Sequence, residues 1–148
     1  MKELTATSVV ALHAMQLMMR RNGAVTIKEI HQSSGFPLGL IRSILSKLQG
    51  GGLLRQGTRR GFSLARAPGE IALLDVVRLV DPPRAPAAPC GGDFDACASR
   101  GACLLAPLCR QAEQGFQETL RAFTLAELMN QPAGLPNCLD PKFRAEAS

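Results

Sequence analysis

The chain has 148 residues and a formal net charge of +5, with no tryptophan, no tyrosine and only six phenylalanines, so a core must be built from aliphatic side chains and methionine. That length suits one domain or a small domain plus an arm. The opening MKELTATS lacks the apolar run of a signal peptide and no stretch approaches the roughly 20 apolar residues of a membrane span, so a cytoplasmic protein without a membrane partner is expected, and a pI of about 9.3 suits a polyanionic partner.

Thr5 or Thr7 can cap a first helix. Val9, Leu12, Met15 or Gln16, and Met19 recur at helical spacing through Arg21, and the apolar character predicts a largely buried helix that carries His13. Asn22-Gly23 ends it. Thr26-Ile27-Lys28-Glu29 has the start of a capping box and opens a short second helix to about Gln32, followed by the turn Ser33-Ser34-Gly35. Pro37 at a first helical position starts a third helix, with Leu40, Ile41, Ile44, Leu45 and Leu48 facing inward, and Gly50-Gly51-Gly52 stops it. Two helices joined by a tight Ser/Gly turn form a helix-turn-helix unit, whose second helix enters the major groove of double-stranded DNA.

Leu53 and Leu54 begin a strand, Gln56 to Gly61 is a basic turn, and Phe62-Ser63-Leu64 returns. That hairpin has the form of a wing, with Arg55, Arg59, Arg60 and Arg66 concentrating charge on it and Arg42 and Lys47 on the preceding helix. Arginine on a wing can reach phosphates or a narrow minor groove. A fourth helix is expected from Glu70 to Val80, ended by Asp81-Pro82-Pro83, and a Pro/Ala-rich connector follows. Pro107 opens a long helix to about Phe123, about 25 Å by its rise per residue. Its stripe of Leu108, Ala112, Phe116, Leu120 and Phe123 has no later element large enough to cover it, so a second copy of the chain is expected there. Thr124 caps a last helical turn, Leu125 to Asn130, and the Pro/Ala-rich tail carrying Cys138 is expected to be disordered.

Four of the five cysteines are concentrated here, Cys90, Cys97 and Cys103 on a glycine-rich loop after the connector and Cys109 just after Pro107 where the long helix begins, with six, five and five residues intervening. Zinc fingers and thioredoxin-type pairs use closer spacing, whereas thiolates on a loop beside a helix can wrap a larger soft group such as an iron–sulfur cluster. A disulfide switch between Cys109 and a loop cysteine is the metal-free alternative. No Gly-rich phosphate loop is present, and the two histidines form no acid–base pair that can be placed in a pocket, so an enzyme is not expected.

In order, several motifs resemble the bacterial IscR/NsrR-type winged-helix regulators, also called the Rrf-two family. They are Leu4-Thr5, Gly35-Phe36-Pro37 through Leu48, Gly52-Leu53-Leu54, Gly61-Phe62-Ser63-Leu64-Ala65, Ile71 through Val77, and Cys103 followed by Phe116, Leu120 and Thr124-Leu125-Ala126-Glu127-Leu128. The resemblance covers about residues 1 to 130. It implies a homodimer with crossed long helices, two winged helices on a palindromic operator, and a 2Fe–2S or 4Fe–4S cluster that sets DNA affinity. Cys90, Cys97 and Cys103 fall on the family's cluster cysteines, and Pro37, Leu38, Gly39 and Arg42 at the exposed start of its recognition helix. Arg42 can pair bidentately with a guanine edge. Some relatives supply a fourth ligand as a histidine where Ala106 stands here, others as an acid where Val9 stands. Cys109 is the first substitute, His13 across a dimer the second, and His31 the third. The wing tip Gln56-Gly57-Thr58-Arg59-Arg60-Gly61 also departs from the family, with two arginines gained.

The expected fold is mainly α with a small β wing. Residues 1–81 are read as the winged helix-turn-helix DNA-binding domain, 82–106 as linker and cysteine loop, 107–130 as dimerisation helix and 131–148 as tail. The expected function is a redox-, oxygen-, nitric-oxide- or iron-responsive transcriptional regulator. A cluster-free winged-helix repressor, or a module whose wing meets protein, are the alternatives.

Overall fold

The computed structural model describes residues 4–82 and 105–130. Helix α1 spans Ala6–Arg21, with Thr5 as its N-cap: Ser8 N–H donates to the Thr5 Oγ1 at 3.2 Å. Val10, Ala11, Leu12, Ala14, Met15 and Met18 are buried, so the helix is enclosed over most of its circumference and forms the centre of the core. Asn22, in the left-handed region at φ 50°, ends it.

A two-residue strand, β1 (Val25–Thr26), follows, then α2 (Ile27–Ser34) and α3 (Leu38–Gly50). The capping box is complete. Glu29 N–H donates to Thr26 Oγ1 at 3.3 Å, and the Glu29 carboxylate accepts from Thr26 N at 2.7 Å and from its hydroxyl at 3.0 Å. Arg21 at the end of α1 pairs with the same carboxylate and ties the two helices together. Helix α2 runs two residues beyond the expected Gln32, to Ser34, because Ser33 and Ser34 hydroxyls return to the Ile30 carbonyl and satisfy it within the helix's last turn. Pro37 occupies the N-cap of α3 rather than its first helical position, with ψ at 139°.

Strands β2 (Leu54–Gln56) and β3 (Gly61–Leu64) form the hairpin, in register Leu54–Leu64, Arg55–Ser63 and Gln56–Phe62. The sheet has three strands in the order β1–β3–β2, because Val25 pairs with Phe62 and Thr26 with Gly61. The chain passes closely at Gly61, where an added Cβ would lie 3.0 Å from the Ala24 Cβ and would press on it.

Helix α4 (Leu73–Val80) starts three residues later than the expected Glu70. Pro68–Glu70 is a 3₁₀ turn, and Ile71 and Ala72 are extended. Ala72 bridges antiparallel to Thr124; Leu73 N–H donates to the Phe123 carbonyl at 2.9 Å and Leu125 N–H to the Ile71 carbonyl at 3.0 Å. Helix α5 (Ala106–Ala122) and α6 (Leu125–Asn130) complete the described chain. The backbone bridge brings Leu120 and Leu125 into the same core as α1.

The apolar stripe of α5 is therefore divided. Leu120 is buried and Phe116 half-buried against the core, covered within the chain by α4. Leu108, 62% exposed, Leu105, 56%, and Phe123, 42%, are left open. The expectation that the whole stripe is left for a second copy is corrected, because Phe116 and Leu120 are covered within the chain.

Thr26 and Glu29 set a pH-sensitive contribution. The bonds from Thr26, with the Arg21 guanidinium, hold the Glu29 carboxyl below its ordinary value of 4.5. A depressed folded pKa stabilises fully above the unfolded value and is lost as pH falls through the folded one. Urea midpoints should decline below about pH 5, and Glu29→Gln should flatten that decline. Thr26→Ala should lower stability by about 1 kcal/mol at neutral pH.

Candidate functional site

Three bonds fix the angle between α2 and α3. Gly35 takes the left-handed conformation at φ 70° and its N–H donates to the His31 carbonyl at 2.7 Å. The His31 Nδ1–H donates to the Phe36 carbonyl at 2.6 Å, and the buried Ser34 hydroxyl accepts from Phe36 N–H at 3.4 Å. His31 therefore serves the turn; as a metal ligand it would offer only its other nitrogen.

One edge of α3, Ile41, Ile44, Leu45 and Leu48, is buried. By the same three-to-four spacing, Gly39, Arg42, Ser43 and Ser46 lie on the opposite, exposed edge, beside Leu38 at 45% exposure and Pro37. No acid lies in the first turn and no side chain caps it, so the positive end of the helix dipole is left for an anion. Pro37, Leu38, Gly39 and Arg42 are placed together as the sequence predicts. Ser43 and Ser46 are additional donors that helical period alone could have found. Lys47, exposed and four residues after Ser43, sends its Nζ to the Val80 carbonyl at 3.2 Å, at the end of α4.

The wing presents Arg55, Arg59 and Arg60, all exposed. Arg55 Nε donates across the hairpin to Ser63 Oγ at 3.3 Å, which leaves the rest of its guanidinium for a ligand. Gly57 N–H donates to the Gly61 carbonyl at 2.7 Å and closes the tip. Within it, Arg59 at φ 62° and Arg60 at φ 60° are both left-handed. Hairpins usually supply consecutive left-handed residues with Asn-Gly. Two arginines there cost backbone energy, on the order of 1–2 kcal/mol each, and gain two cations at the most projecting point of the sheet.

Among the cysteines, Cys90, Cys97, Cys103 and Cys138 lie outside the described residues. Cys109 sits in the first turn of α5, half-buried, with its N–H on the Leu105 carbonyl at 2.9 Å. It follows Cys103 by six residues and lies between the exposed Leu105 and Leu108 and the solvent-facing Arg110. His13 faces α2. The Ser33 hydroxyl gives its proton to the Ile30 carbonyl, so the His13 Nε2–H donates to Ser33 Oγ, at 3.1 Å. Burial, and then the Arg20 charge, lower its pKa, which favours the neutral ring. Val9, also half-buried on α1, has no donor atom, and Ala106 is the first residue of α5.

Comparison with known proteins points in one direction. Residues 4–131 match the family described as Rrf2, iron-dependent transcriptional regulator. The chain is similar to IscR, an HTH-type transcriptional regulator of Aliivibrio salmonicida, at 31% identity over 128 residues, 85% of this chain and 71% of that protein. It is similar to an rrf2-like HTH-type regulator of Rhodobacter capsulatus at 28% identity, over 72% of this chain and 75% of that one. Among solved structures, CymR, the global cysteine regulator of B. subtilis, superposes with a TM-score of 0.68 at 18% identity over 90% of this chain and all of that one. IscR of T. potens gives 0.65 at 20% identity over 87% of each.

Relieving the wing-tip strain should separate stability from binding. Arg59→Asn with Arg60→Gly should raise the melting temperature, because both left-handed positions then suit their residues. The same variant should bind duplex DNA more weakly, and its slope of log affinity against log salt should be shallower by about 0.9 for each phosphate contact removed. Fluorescence anisotropy across a salt series reads the second effect, and calorimetry the first.

Proposed function

The chain belongs to the Rrf2 family of winged-helix transcriptional regulators, and from that premise we propose that its operator affinity is controlled by an iron–sulfur cluster held by Cys90, Cys97, Cys103 and Cys109. The relatives it matches are transcriptional regulators, and no catalytic role is assigned. DNA is bound by the exposed edge of α3, with Arg42 as the base-reading side chain and Ser43 and Ser46 beside it. Arg55, Arg59 and Arg60 hold phosphate or the minor groove from the wing.

The observation that carries the reading is the exposed, acid-free start of α3 on a turn locked by Gly35, His31 and Ser34. A helix fixed at its base and open along one edge is the physical requirement for reading a groove. The second copy completes the molecule. Leu105, Leu108 and Phe123 are left exposed on and beside α5, and a dimer through α5 would cover them and give the two-fold symmetry that a palindromic operator requires.

The donor set fits the group. Thiolates are the ligands iron–sulfur clusters take, and Cys109 is a half-buried thiol on a fixed helical turn six residues after Cys103. His13 is the weaker candidate, since it would have to give up its bond to Ser33. When bound, the cluster supplies one-electron redox chemistry and reactivity toward oxygen and nitric oxide. The chain's own part is to tie the cysteine segment to the end of α4 on one side and the start of α5 on the other. Its place of action is the cytoplasm, where reduced thiols are available.

Cys109 as a free thiol only half-buried also favours a second reading. With peroxide as oxidant, Cys109 and a second cysteine would form a disulfide, giving up two protons and two electrons, and peroxide would leave as water.

Anaerobic purification, followed by absorption spectra and iron and sulfide assays, tests the choice. Wild type and His13→Ala should be coloured and contain both iron and sulfide, while Cys97→Ala and Cys109→Ala should lose most of each. Colourless protein after reconstitution with ferrous iron and sulfide, together with a Cys109 disulfide found by mass spectrometry after peroxide, would select the second reading.

A further inference from the structure

Lys47 is the one cation of the recognition helix that bonds to another element of the fold. Its Nζ donates to the Val80 carbonyl at 3.2 Å, across 33 positions of sequence. Val80 is the last residue of α4, so its carbonyl has no amide partner within that helix, and it lies at the negative end of the helix dipole. The neighbouring turn is closed on its own account, because Asp81 N–H donates to the Val77 carbonyl at 2.9 Å. Lys47 is therefore not needed to form α4. It joins the end of α4 to the end of α3.

Beside that bond the two helices approach very closely. A Cβ on Gly51, the C-cap of α3, would fall 2.3 Å from the Leu79 Cδ1. The half-buried Leu79 packs against the core, and Val80 is 2% exposed. The two helix ends therefore meet at the Lys47 bond and at the contact of Gly51 with the Leu79 side chain.

The position of this joint in the chain matters. After Val80 come Asp81 and Pro82, and Cys90 is ten residues beyond Val80. The last turn of α4 is the part of the buried core that stands next to the cysteine segment in sequence. Helix α3 is 13 residues long and stiff, so a shift at its Lys47 end tilts its Leu38 end. Shifts of about 1–2 Å between packed helices are a common form of switching.

We propose that Lys47 is a positioning residue which couples the cysteine segment to the recognition helix and does not itself contact DNA. This rests on the reading that a cluster controls operator affinity, and adds the route of that control. The state of the segment alters the last turn of α4, the bond from Val80 to Lys47 carries the change into α3, and the exposed edge with Arg42 is re-aimed.

The test uses full-length protein, either unloaded or reconstituted anaerobically with ferrous iron and sulfide, and a duplex selected by wild type from a random pool. Wild type should show an affinity ratio between the two forms within the range of about 5- to 150-fold typical of allosteric coupling. Lys47→Met, which removes the donor, should reduce that ratio by about threefold or more, as expected for loss of one hydrogen bond. Its unloaded affinity should keep the wild-type salt slope, and Lys47→Arg, which keeps a donor, should restore the ratio. If both forms instead weaken equally and the slope becomes shallower by about 0.9, Lys47 is a phosphate contact and the proposal is overturned. An unchanged ratio in Lys47→Met overturns it too. A wild type with no difference between forms overturns cluster control itself, and the joint's role with it.

Discussion

Four aliphatic side chains on one edge of α3 govern what the rest of the molecule can do. Ile41, Ile44, Leu45 and Leu48 are each at most 1% exposed, and each buried aliphatic side chain is worth about 1.5–3 kcal/mol relative to exposure. Their burial leaves α3 little freedom to roll. Because the helical repeat puts Gly39, Arg42, Ser43 and Ser46 on the other side, fixing the apolar edge also fixes the polar one. The turn before α3 then needs only to set its angle, which Gly35 does by conformation and His31 by its bond to Phe36.

The same economy of core explains the end of the chain. With no tryptophan or tyrosine to fill space, a three-helix core around α1 gains from every further aliphatic group it can enclose. The bridge of Ile71 and Leu73 with Phe123 and Leu125 supplies them, since its backbone bonds place Leu120 and Leu125 against the core. Helix α5 is consequently attached at its C-terminal end and open at its N-terminal end. The long helix is not a free arm added to a finished domain. Half of it belongs to the domain.

Much of this was legible in the residues, and the exceptions have physical reasons. Thr26 and Glu29 announce a capping box because it is a local exchange of bonds at fixed spacing, and it forms as read. The inward edge of α3 is legible because 13 residues are enough to show a period. Strand β1 has only two residues, too few to show any alternation. Ile71-Ala72-Leu73-Leu74 fits a helix as well as an extended bridge, and only the distant Thr124 decides it. Lys47 reads as one more cation beside a DNA-facing helix, because its partner is a backbone carbonyl 33 residues away. The left-handed arginines of the wing are invisible for a different reason: local preference argues against them. At the candidate site, the reading helix and wing were legible from pattern. The ligand set rests on cysteine spacing, of which the described residues include only Cys109.

The attachment of α5 has a consequence for signalling. The cysteine segment leaves the core at Val80, which is buried, and returns at Leu105, which is 56% exposed. A segment anchored firmly at one end and loosely at the other relaxes at the loose end, so in a single chain a change among the cysteines would move the start of α5 and leave α4 alone. A second copy laid over Leu105 and Leu108 removes that escape. Both ends are then held, and the remaining compliance lies in the last turn of α4, where Val80 meets Lys47. In the proposed dimer, association does more than match a palindrome. It makes the recognition helix, rather than the arm, the part that responds.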